Sequence, residues 1–154
     1  SVLRQSVLDL FAVSGALGLE ALSRGGVSCD FYEVSKDALQ CLNKNVDELK
    51  RRAKVQNLEV PAISVINKDV KNIAKGNSCY GLILADPPYA ITTTWLASFM
   101  EILGTLTKED SLFVLESGKD ENSVLSSDGS LKWELMREKC YGVTMVRIWK
   151  RRSI

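Results

Sequence analysis

Strand-length apolar runs alternate with helix-length segments along most of this chain, and few folds accept that order. Residues 6–12 form a short apolar run. Residues 14–24 follow with helical propensity, and Gly25-Gly26 stops them. Residues 28–34 read as a second strand. Ser35 then caps a long helix whose apolar positions Ala38, Leu39, Leu42, Val46, Leu49 and Ala53 recur at helical spacing. A third strand is expected over residues 62–67, a short helix over 70–75 and a fourth strand over 80–85. A helix over 93–103, with Trp95, Leu96, Phe99, Met100 and Leu103 on its apolar side, leads to a fifth strand over 111–116. Residues 117–130 are polar and rich in Gly, Ser and Asp, which predicts a loop or at most a weak helix. The tail, 132–151, holds two extended stretches broken near Tyr141-Gly142, the pattern of a hairpin. The whole predicts an α/β fold: a mostly parallel sheet with helices on both faces, ended by an antiparallel hairpin.

A length of 154 residues suits a single domain over 1–154 with a real core. No apolar run approaches the ~20 residues that span a bilayer, and no signal-peptide pattern opens the chain. A soluble, cytoplasmic protein without a membrane partner is the expectation, and a monomer. The formal net charge of +1 predicts no strong overall pull on nucleic acid. Lys50-Arg51-Arg52-Lys54 and Lys150-Arg151-Arg152 are locally basic, and each alone reads as a solvated element end. Cys29, Cys41, Cys79 and Cys140 form no CxxC pair or zinc spacing; three of them lie in or beside apolar runs, where a buried reduced thiol is the default. Histidine is absent, which excludes a Ser-His-Asp triad, a Cys-His pair and any histidine-held metal.

Chemistry-bearing residues fall where the strands end. Asp86-Pro87-Pro88-Tyr89 follows the apolar run of the fourth strand. A carboxylate, two rigid prolines and an aromatic ring suit the gripping of a planar amino group, edge-on and face-on. The first strand runs into a loop, Asp9-Leu-Phe-Ala-Val-Ser-Gly-Ala-Leu-Gly18, in which Gly15 and Gly18 permit a tight turn and close approach of a ligand. A turn that merely packs helix on strand would use the same glycines. As a dinucleotide fingerprint the loop lacks the glycine that would stand at Val13. Glu33, at the end of the second strand, can accept both hydroxyls of a ribose. Asp69, after the third, can accept from an adenine amino group. Lys36, Asn43 and Asn45 could line such a site, although a helix surface accounts for them equally.

Val7-Leu-Asp-Leu-Phe-Ala-Val-Ser-Gly-Ala-Leu-Gly-Leu-Glu-Ala-Leu-Ser-Arg-Gly25, with Glu33, Asp69 and Asp86-Pro-Pro-Tyr89, resembles the bacterial RsmD-like family, which methylates the guanine 2-amino group of 16S ribosomal RNA. The likeness runs through nearly the whole chain, including the closing hairpin. It implies a Rossmann-like class I methyltransferase fold with a seven-stranded sheet, and S-adenosylmethionine as cofactor with S-adenosylhomocysteine as product and no metal. It implies cofactor binding by Asp9, Phe11, Ala12, Val13, Ser14, Gly15, Gly18, Glu33, Val34, Asp69 and Val70, and catalysis by Asp86, Pro87, Pro88 and Tyr89. The implied partner is 16S ribosomal RNA or the small ribosomal subunit. Two departures stand out: the family's loop reads Phe-Ala-Gly-Ser-Gly where this chain has Val13, and the chain starts almost at the first strand, as a core without the family's N-terminal arm would.

The implied reaction needs positioning more than acid–base power, because a sulfonium methyl is already electrophilic. Asp86 and the Pro87 carbonyl would accept the two N–H bonds of the amine, and Tyr89 would stack on a base taken out of its helix. Methylation of adenine N6 uses the same tip chemistry and is the alternative enzyme. Protein-glutamine methylation fits less well, since that family typically has Asn where Asp86 stands. A truncated or decayed fold that holds RNA or a partner without catalysis is the alternative from another class, and Val13 and the expected lack of the arm are its support.

Overall fold

The computed structural model describes residues 4–77, 79–118 and 132–153. The chain divides into two compact units, residues 1–73 and 74–154.

The first unit holds three parallel strands, β1 (Ser6–Leu10), β2 (Ser28–Tyr32) and β3 (Ala62–Ile66), with β2 in the middle. Ser6 lies opposite Ser28 and Tyr32 opposite Ile66. Two helices connect them, α1 (Ala16–Ser23) and α2 (Lys36–Val55). Val7, Leu8, Leu10, Cys29 and Phe31 are fully buried, and α2 turns Leu42, Val46 and Ala53 inward. The Ser35 hydroxyl accepts from the Ala38 N–H at 3.4 Å, so the expected cap is present. β1 stops two residues earlier than its apolar run because Phe11 takes a left-handed φ of 56°. The expected helix over 70–75 shrinks to one 3₁₀ turn, Val70–Asn72, capped by the Asp69 carboxylate on the Lys71 N–H at 2.9 Å.

α1 has no capping side chain of its own: Gly15 precedes it with φ 80°. The donor is met from the sheet instead. Asp9 on β1, nearly inaccessible, accepts the Gly18 N–H at 3.0 Å, placing a carboxylate against the positive end of the helix. This contact requires glycine at position 18. A Cβ there would stand 2.5 Å from the Phe31 ring and 2.9 Å from both the Asp9 carboxylate and the Cys29 sulfur. Burial first, then the charges of Asp9 and Asp30, push the Cys29 thiol far above its ordinary range, so it is an inert core group.

The second unit holds β4 (Tyr80–Ala85), α3 (Thr93–Thr105), β5 (Thr107–Gly118), β6 (Trp133–Tyr141) and β7 (Thr144–Arg151). β4 runs parallel to β5, β7 pairs antiparallel with β5, and β6 closes the hairpin on β7. Its core is aromatic: Phe113 stacks on Trp149 at 5.4 Å and meets Phe99 and Trp133 edge-on, while the buried Trp133 indole donates to the Met100 carbonyl at 3.0 Å. Mostly parallel strands, seven among the described residues and closed by a hairpin, agree with the alternation in the sequence.

Several local expectations change. β5 starts at Thr107 and not Ser111, because the Ser111 hydroxyl bridges the Tyr80 carbonyl and the Lys108 N–H and closes an irregular step in the β4–β5 ladder. Ser117 and Gly118 extend that strand rather than opening a loop, and 119–130 of the expected loop lie outside the described residues. Cys29 alone is a buried thiol; Cys41, Cys79 and Cys140 are exposed, since short apolar runs do not reveal which side of a helix or hairpin faces solvent. Among the described residues no helix is long and apolar enough to cross a membrane.

Gly18→Ala is expected to lower unfolding stability by about 1–3 kcal/mol, through overpacking and loss of the Asp9 cap. Urea denaturation checks it, and an unchanged midpoint would contradict the close approach.

Candidate active site

In the first unit the strand ends gather a loop around one carboxylate. Glu33 follows β2 directly, its N–H held by the Ile66 carbonyl at 3.1 Å. Its Oε1 accepts the Val13 N–H at 2.7 Å, and its Oε2 accepts the N–H groups of Val34 and Ser35, both at 2.9 Å. The Ala12 N–H donates to the Tyr32 carbonyl at 3.0 Å, and Asn45 on α2 donates from its amide to the Ser14 carbonyl at 2.9 Å. The loop from Phe11 to Gly15 is thus tied to β2, to the start of α2 and to α2's flank. Asn45 therefore anchors the loop, while Lys36 and Asn43 stay on the exposed helix surface.

The same loop alternates in hand: Phe11, Val13 and Gly15 have φ of 56°, 54° and 80°. Glycine adopts such angles freely, whereas a β-branched residue does so under strain. Val13 accepts that strain with its side chain 52% exposed and its N–H fixed by Glu33.

The acceptors and apolar edges that remain at these strand ends are of the kind an adenosine group requires. A carboxylate offers about four lone-pair sites; Glu33 uses three on backbone N–H groups and keeps one on Oε1. Val34, beside it, is apolar and 55% exposed. Asp69, exposed, uses Oδ1 on the Lys71 N–H. Val70 is buried beneath it. Asp9 is different: its carboxylate is buried under α1 on the Gly18 N–H, so its part in the loop is to cap the helix.

In the second unit Asp86 follows the last residue of β4, with Pro87 half-buried and Pro88 and Tyr89 exposed. Burial raises the Asp86 carboxyl above its usual range. The tip stays short because Thr92 caps α3 at once, its hydroxyl accepting the Trp95 N–H at 3.1 Å, and Ile91 is buried. Two residues here escaped the sequence reading. Arg147 on β7 is buried, bonded to Glu138 at 2.8 Å and to the Ser117 hydroxyl at 3.3 Å. Glu116 on β5 is half-buried, and burial first, then the charge of Asp86, raise its carboxyl. An acid directly after the last apolar residue of the fifth run was the available signal for Glu116.

The model of the family described as conserved hypothetical protein 95 matches residues 1–150. This chain belongs to that family. It is 30% identical over 150 residues to ribosomal RNA small subunit methyltransferase D of Escherichia coli, covering 95% of this chain and 68% of that protein. The protein of the same name in Haemophilus influenzae is 27% identical over 143 residues, covering 93% and 70%. The solved structure of yhhF from Escherichia coli matches with a TM-score of 0.78 at 26% identity, over 99% of this chain and 80% of that one. A ribosomal protein L11 methylase from Lactobacillus delbrueckii shares the fold alone, with a TM-score of 0.70 at 15% identity over 97% and 70%. The fold of this family member is the Rossmann-like class I methyltransferase fold.

Val13→Gly removes roughly 1–2 kcal/mol of left-handed strain and returns about 0.5–1 kcal/mol to the unfolded chain as freedom. A net stabilisation between zero and about 1.5 kcal/mol is expected from chemical denaturation, and a clear loss would contradict the backbone assigned to the loop.

Proposed function

We propose that this chain is an S-adenosylmethionine-dependent methyltransferase acting on the exocyclic 2-amino group of a guanine in small-subunit (16S) ribosomal RNA. The observation that carries the reading is the Asp86-Pro87-Pro88-Tyr89 tip, a raised carboxyl at the end of a buried strand in a chain of this family. The names of the relatives support the substrate class.

Glu33 is assigned to the ribose, Val34 and Val70 to the adenine flank and Asp69 to the adenine amine. Phe11, Ala12, Val13, Ser14 and Gly15 form the loop beside the methionine part, which Asp9 and Gly18 hold in shape. S-adenosylmethionine supplies an electrophilic methyl when bound. The chain's own task is to present the amine. Asp86 and the Pro87 carbonyl accept its two N–H bonds, which draws the nitrogen lone pair out of conjugation with the ring. Neither proline has an N–H and both have fixed φ, so the tip offers acceptors in a stiff frame. Tyr89 stacks on the base, which contributes about 1–3 kcal/mol. The proton released from the nitrogen goes to Asp86 or to water.

Ionised, Asp86 is purely an acceptor and can take up the released proton; protonated, it carries an O–H donor, accepts more weakly and can take no further proton. Its raised pKa means that protonation on acidification begins above the usual carboxylate range, so kcat/KM falls with decreasing pH from there. The fold gains nothing from that charge: with a folded pKa above the unfolded value, ionising the group as pH rises removes stability. Asp86→Ala, which removes the acceptor altogether, is therefore expected to keep or raise Tm and to leave S-adenosylmethionine affinity intact. Methyl transfer should drop by at least about a hundred-fold. Normal turnover by this variant would overturn the mechanism. Absence of cofactor binding by the unaltered protein in calorimetry would favour a non-catalytic RNA-binding role instead.

A further inference from the structure

The last parallel pair of the β4–β5 ladder is Ala85 with Leu115, so Asp86 and Glu116 are the next residue on each of two neighbouring strands. Adjacent strands lie about 4.8 Å apart, which puts both carboxyl-bearing residues at one end of this pair. Leu115 and Phe113 point into the aromatic core. By the alternation of a strand, Glu116 leaves from the opposite side, the side of the half-buried Val114. Neither Asp86 nor Glu116 has a hydrogen-bond or ion-pair partner among the described residues. An exposed and a half-buried acceptor side by side, with no cation or N–H bonded to either among the described residues, form a surface that matches a row of donors.

A guanine presents such a row. Beside the two N–H bonds of its 2-amino group, its ring carries a third donor, the N1–H. Adenine differs at that point, since the ring nitrogen next to its amine carries a lone pair, which a carboxylate repels. We infer that Glu116 accepts the ring N1–H beside the amine held by Asp86 and so makes the site specific for guanine. The inference rests on the methyltransferase reading and adds a base-reading residue to it. It accounts for the geometry of a second carboxylate at the tip, which the grip on the amine alone leaves unused.

The test uses unmethylated small ribosomal subunits reconstituted with either guanine or 2-aminopurine at the methylated position. 2-Aminopurine keeps the amine and replaces the N1–H with a lone pair. The unaltered enzyme should favour guanine by about ten- to a hundred-fold in kcat/KM, the discrimination that one well-made base contact supplies. Glu116→Gln, whose amide both donates and accepts, should bring the two substrates to within about three-fold, with Tm kept or raised and S-adenosylmethionine affinity unchanged. A Glu116→Gln variant that keeps the full preference overturns the assignment, because the preference would then come from another contact. Equal use of both bases by the unaltered enzyme overturns it as well. Absence of transfer to either substrate overturns the methyltransferase reading and Glu116's role with it.

Discussion

Glu33 is the group around which the first unit is organised. Three backbone N–H groups from the loop, the strand end and the start of α2 converge on one carboxylate at 2.7–2.9 Å. Bonds to an ionised acceptor contribute about 1.5–3 kcal/mol each, enough to hold Val13 in a conformation its side chain resists. The loop's shape is therefore set from outside the loop. In the proposed site the same carboxylate has one lone-pair site left for a ribose hydroxyl. Holding the loop and holding the ligand draw on one acceptor.

The second unit repeats the principle with the donors left out. Parallel strands end side by side, so residues one step beyond the last pair are neighbours whatever their distance along the chain. Asp86 and Glu116 are such neighbours, thirty positions apart in sequence and next to each other across the β4–β5 ladder. Where Glu33 accepts three backbone N–H groups, burial raises the proton affinity of both of these carboxyls, and the charge of Asp86 raises that of Glu116 further.

Much of this was legible in the sequence. The alternation of apolar runs and amphipathic helices gave the strands and helices within a few residues, and Glu33, Asp69 and Asp86 stand at strand ends as their positions implied. What escaped depends on register and on facing. Asp9 reads as a strand-tip acid, yet its carboxylate caps α1 beneath Gly18. Ser111 reads as the first residue of a strand, yet it closes a step that four earlier residues enter. Arg147 sits in an apolar run with no sign that Glu138 will meet it across the hairpin. Glu116 became visible only when Leu115 was seen opposite Ala85. Local pattern gives elements, whereas pairing gives partners.

The central claim is that the Asp86 tip presents the 2-amino group of a guanine for methylation. Its most direct test incubates unmethylated small ribosomal subunits with the protein and methyl-labelled S-adenosylmethionine, then digests the RNA to nucleosides for mass spectrometry. The account predicts label in N2-methylguanosine at a single position. Label in N6-methyladenosine, or unmodified RNA from a protein that binds the cofactor, would contradict it.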